Sequence, residues 1–88
     1  MADMNEVLKK MKADLPGEIN GVKEYATLSR TAEESGNHCW AKMLWDMAKE
    51  ERHHAEHIMH ILDKSGVSYA EYVPAYKEAT AMLEMHDH

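Results

Sequence analysis

Three side chains in this 88-residue sequence have the types and spacing to hold a metal ion: Glu18, and Glu51 with His54 three positions later. Carboxylates are hard anionic ligands that move between terminal and bridging modes, and imidazole suits first-row transition metals. The pairing Glu-x-x-His is weak by itself. Eleven Glu and seven His in this length give roughly one match by chance, and Glu50-Glu-Arg-His53 is a second. What singles out Glu51 and His54 is where helical geometry places them.

Those residues need helices to position them, and four helical segments are expected. The first runs from about Met4 to Ala13, with Asp3 as N-cap and Glu6 completing a capping box. Pro16-Gly17 is expected to interrupt it and to open a second helix from about Pro16 to Ser35. Gly36 and Asn37 supply a left-handed stop and the next N-cap. A third helix runs from about His38 to Lys64, closed by Gly66. Ser68-Tyr-Ala-Glu71 reads as a capping box, but Pro74 favours a last helix from about Val73 to Met85. Its inner stripe is Tyr76, Ala79, Met82 and Leu83, and the tail through His88 is expected to fray. No linker or repeat divides the chain, so residues 1–88 are one all-α domain with a core hairpin over about 16–64.

On a wheel of about 100° per residue, Glu18 shares its face with Leu15, Val22, Tyr25, Ser29 and Ala32. Asn20, Lys23, Glu24, Thr27, Arg30 and Thr31 take the opposite half. Around Glu51, Trp40, Leu44, Met47, Ala48, Ala55, Ile58 and Leu62 all fall within about 60°. His54 flanks that stripe, while His53, His57 and His60 cluster on the polar side. Two carboxylates on facing apolar surfaces need a counter-charge. No Lys or Arg lies on either inner stripe, although Lys42, Lys49 or Arg52 could reach in from an edge. A cation is the better partner. Folding the hairpin at Gly36 brings Glu18 and Glu51 within about one turn of level.

Composition narrows the class. A net charge of −6 opposes a nucleic-acid backbone as partner. No apolar run is long enough to span a membrane, and no basic stretch followed by an apolar one suggests a signal peptide. Cys39 is the single cysteine, which fits a reducing cytoplasm and a small buried hydrophobe.

Di-iron carboxylate bundles take one Glu from each of two helices and a Glu-x-x-His from each of the other two. One chain here has half of that set, so two copies about a twofold axis would complete a four-helix bundle. The run Glu18-Ile-Asn-Gly-Val-Lys-Glu-Tyr25, followed by Glu51-Arg-His-His54-Ala55, resembles the first helical pair of rubrerythrins over about Pro16 to Leu62. It is also similar in kind to half-length ferritin-like proteins packaged in encapsulin shells. The resemblance implies a ferritin-like antiparallel hairpin that homodimerises, or assembles further, around two Fe per dimer. Glu18, Glu51 (bridging) and His54 would be the iron ligands, with Tyr25 a hydrogen-bond donor behind them. It implies oxidation of Fe(II) by O2 or peroxide, in the cytoplasm or within a protein shell. One cysteine cannot build a rubredoxin module, so peroxide turnover would need an external electron donor.

Other readings stay open at this point. Glu18 near a helix start could simply be favoured by the helix dipole. Tyr25 could be plain core, and Trp40 and Trp45 packing or interface residues. His53-His54-Ala55-Glu56-His57 matches a zinc-peptidase string, but the chain is too short for a peptidase cleft. Rival functions are an iron-delivery or metal-binding module without turnover, and a structural hairpin with protonated or salt-bridged carboxylates.

Overall fold

The computed structural model describes residues 3–85, and every regular element among them is helical. Helix α1 spans Met4–Glu34, α2 spans His38–Lys64, a 3-10 turn covers Ala70–Tyr72, and α3 spans Val73–Glu84. The expected fraying of His86 to His88 lies outside the described residues.

The termini follow local chemistry. Asp3 Oδ1 accepts from the Glu6 N–H at 3.0 Å, and Asn37 Oδ1 accepts from the Trp40 N–H at 3.1 Å. Gly36 and Gly66 take φ values of 84° and 71°, which only glycine adopts without cost. At the first stop the Asn37 N–H donates to the Ala32 carbonyl at 2.9 Å and the Gly36 N–H to that of Glu33 at 3.0 Å. Val67 and Gly66 repeat the pattern on Leu62 and Asp63. Both are Schellman endings, in which two late N–H groups satisfy the last free carbonyls. Three residues therefore suffice to turn α1 back on itself.

Pro16 does not divide α1, contrary to the sequence expectation: one helix of 31 residues runs straight through Pro16-Gly17. Proline removes one helical N–H and crowds the carbonyl four residues back. Its ring lies on the exposed side, while its neighbours Leu15 and Ile19 are buried on the other. Packing of that stripe carries the helix across the defect.

The core joins Leu15, Ile19, Val22 and Ala26 of α1 to Ala48, Ala55, Ile58 and Leu62 of α2, with Ala79 and Leu83 of α3. Ala41, Ala48 and Ala55 recur every seven residues, so a column of methyl groups lets the helices approach closely. Buried Ser29 donates from Oγ to the Ala41 carbonyl at 2.6 Å, tying α1 to the start of α2.

Helix α3 lies against one face of the hairpin, held by Lys23–Glu78 at 3.3 Å and by Tyr76 donating to Glu56 at 2.6 Å. The opposite face stays open, and two expectations change there. Trp40 and Met47, placed on the inner stripe from the sequence, are exposed within one chain, Trp40 by 64%. Cys39 is exposed too, rather than buried. The apolar stripe of α2 is wider than α1 and α3 together can cover. The described residues measure 49 × 27 × 15 Å, with α3 adding a second layer on one side of the hairpin only. The side away from α3 has no layer on which to bury its apolar residues.

Replacing Pro16 should show what the tertiary packing overcomes. Pro16→Ala is expected to raise unfolding free energy by about 1–2 kcal/mol, with helix content unchanged by far-UV circular dichroism. An unchanged or lower denaturation midpoint would mean that the ring is accommodated without strain.

Candidate metal centre

Glu18 lies in the middle of α1, and Glu51 and His54 lie on successive turns of α2. The single-helix course of α1 removes the dipole explanation for Glu18, since dipole effects fade beyond the first turn. One ligand atom from each of Glu18, Glu51 and His54 falls within 4.8 Å of the others. His54 Nδ1 is 3.4 Å from Glu18 Oε2 and 3.8 Å from Glu51 Oε1. Both carboxylates are about three-quarters covered, whereas the His54 ring opens onto the uncovered face.

The electrostatics are those of a place built for positive charge. Burial, then a proton shared with Glu18 and repulsion from its charge, raises the Glu51 carboxyl from 4.5 to about 7; His54 partly offsets this. Glu18 Oε2 is fully buried and has no hydrogen-bond partner of good geometry. The lysines that could have reached in are engaged elsewhere. Lys42 and Lys49 pair with Asp46, and Lys49 also sits 4.0 Å above the Trp45 ring. Glu24 is exposed, as expected of the polar half of α1.

Gly21 is a site residue that the sequence reading missed. A Cβ there would stand 2.7 Å from Glu51 Oε2 and 3.2 Å from Glu51 Cδ and Cγ. A mid-helix glycine costs about 1 kcal/mol relative to alanine. Here its missing side chain gives the Glu51 carboxylate its space beside α1. The signal was available, because Gly21 stands three positions after Glu18 inside a helical pattern, where a glycine often marks a close approach.

Tyr25 is half-buried against the same core, and among the described residues no hydrogen bond joins it to the carboxylates. His53 and His57 are exposed on the polar side of α2, so the zinc-peptidase string does not converge with Glu18 and Glu51. Trp45 packs half-buried against the core.

Fold and site together define an all-helical protein of ferritin-like type with a candidate carboxylate–histidine metal centre. The family model for rubrerythrin matches residues 9–86, and the chain belongs to that family. No curated protein and no solved structure matches it. The family implies iron, and the residues fit it: hard oxygen donors, one imidazole, a buried unpaired oxygen and a cleared approach at Gly21.

Two measurements test this centre. Since folding raises the Glu51 pKa, the folded metal-free chain holds more protons than the unfolded chain between pH 4.5 and about 7. Its contribution to stability is therefore greatest at the acid end and declines as pH rises through about 7. The thermal midpoint of metal-free protein should fall across that window, and Glu51→Gln should flatten the slope. Gly21→Ala should keep the helix but weaken Fe(II) binding about tenfold or more by displacing Glu51. Unchanged affinity would show that the approach at Gly21 does not position the ligand.

Proposed function

We propose that two copies of this chain pair through their open faces to form a non-haem di-iron protein that oxidises Fe(II) with O2 or peroxide. The observation that carries this is the convergence of Glu18, Glu51 and His54 at the edge of a face that α3 leaves bare. Each chain holds half of the ligand set that di-iron bundles use, and a twofold mate would supply the other half.

The bare face has the chemistry of a bundle interior. Trp40, Met43, Leu44 and Met47 line a shallow apolar groove on α2, on the same side of the helix as Glu51 and His54. Leu28 of α1 and Ile61 of α2 are exposed as well. A second copy would pack on the side that α3 leaves open and enclose a shared core.

In this reading Glu18 and Glu51 supply the negative charge that binds Fe(II), and Glu51 loses its proton as the cation enters. His54 offers a neutral ring nitrogen from the open side, and Gly21 leaves Glu51 room to change its binding mode. Tyr25, which makes no such bond among the described residues of the single chain, would turn its hydroxyl to the carboxylates only in the metal-bound dimer. Bound iron supplies one chemical act, the loss of an electron to O2 or peroxide. The reaction would take place in the cytoplasm, free or within a protein shell, with an external donor returning electrons if peroxide is turned over.

Anaerobic Fe(II) titration followed by air tests the proposal directly. The expected result is two Fe(II) per dimer, O2 consumption and growth of a ferric absorption band, with a dimeric mass in solution. Trp40→Ser should shift the mass towards monomer and lower the oxidation rate at least tenfold. Iron uptake without O2 consumption would instead fit a delivery module, and a monomer that takes up no iron would end both readings.

A further inference from the structure

Helix α2 carries a second set of ligands on the side away from Glu51. His53 and His57 stand one turn apart, both exposed, with ring centroids 6.2 Å apart and planes tilted by 39°. Glu56 lies one turn from His53 on the flank towards α3, its Oε1 3.6 Å from His53 Nδ1. Its other oxygen, Oε2, accepts from the Tyr76 hydroxyl of α3 at 2.6 Å. We propose that His53, His57 and Glu56 form a separate surface site on each chain for a borderline divalent cation, Zn2+ or its neighbours.

The reach is adequate. Helical positions four apart hold their Cβ atoms about 5–6 Å apart. Bonds of about 2.0–2.1 Å in a tetrahedral site ask two ring nitrogens to approach to roughly 3.4 Å. Exposed imidazoles achieve that by side-chain rotation alone. The third ligand is already in place, because Tyr76 fixes one oxygen of Glu56 and leaves the other directed at His53. A solvated polar face would account for the histidines. The same Tyr76 hydroxyl that tethers α3 also fixes the Glu56 carboxylate beside His53, as outer partners orient metal ligands. Burial and the Glu56 carboxylate raise the Tyr76 phenol above its ordinary 10.0, so it remains a donor when Glu56 is ionised.

The donor set also differs from the inner one. Two imidazoles and one carboxylate favour Zn2+, Ni2+ or Cu2+, whereas an oxygen-rich pocket favours harder ions. This site stands on its own residues and does not depend on the proposed iron chemistry.

Equilibrium dialysis of the full chain against Zn2+ in the Glu51→Gln background, where the inner ligand set is broken, isolates it. One Zn2+ per chain should remain, and ring resonances of His53 and His57 should shift while that of His38 stays put. Adding His53→Ala and His57→Ala should abolish this binding without loss of helix, since both rings are exposed. Tyr76→Phe should weaken it about tenfold or more. The site is refuted if the double histidine variant binds Zn2+ as before, if Tyr76→Phe changes nothing, or if His60→Ala costs as much as His53→Ala. Failure of the iron proposal would show in wild-type iron uptake and leave these outcomes unchanged.

Discussion

Burial of the Glu51 carboxyl beside that of Glu18 is the constraint around which the molecule is arranged. Two carboxyl groups with an imidazole beside them sit on the inner surfaces of a hairpin whose nearby lysines pair elsewhere. Without a cation the cheapest remedy is a retained proton, which is what the raised Glu51 pKa describes. Were a cation to bind there, it would displace that proton and turn the same crowding into affinity. The glycine beside Glu51, the open ring of His54 and the buried oxygen of Glu18 are consistent with that exchange.

Much of this was legible because it rests on periodicity and local stops. The inner stripe of α2 identified Glu51, and Gly36, Asn37 and Gly66 marked the turns where the structure has them. What misled was local rule set against packing. Pro16 reads as a break, yet the buried stripe on either side of it outweighs one lost hydrogen bond. Cys39 reads as interior by type, yet it is exposed; Trp40 falls on the inner stripe of α2 by periodicity, yet one chain has too few helices to cover it. Gly21, a glycine inside a helical pattern, signalled a close approach, but which side chain approaches depends on the partner helix, which no single-helix wheel contains.

The three helices divide the work unequally. Helix α3 covers the face that carries Lys23 and Glu56, and its Tyr76 braces the outer surface of α2. The hairpin alone builds the inner ligand cluster, and its other face remains apolar and exposed. Among the described residues no helix is long and apolar enough to cross a membrane, so that bare surface does not belong to a spanning segment.

The turn at Ser35 to Asn37 has a consequence for how the ligands are encoded. It is closed at both ends by fixed hydrogen bonds and has no slack. Adding one residue between Glu18 and the turn would swing that carboxylate by about 100° and slide it about 1.5 Å along the axis. The cluster is thus specified by a count of residues measured from a bend, as teeth are counted on a gear. Insertions at either helix end outside the core stripe would leave the site intact, but the interval between Glu18 and His54 behaves as a fixed ruler.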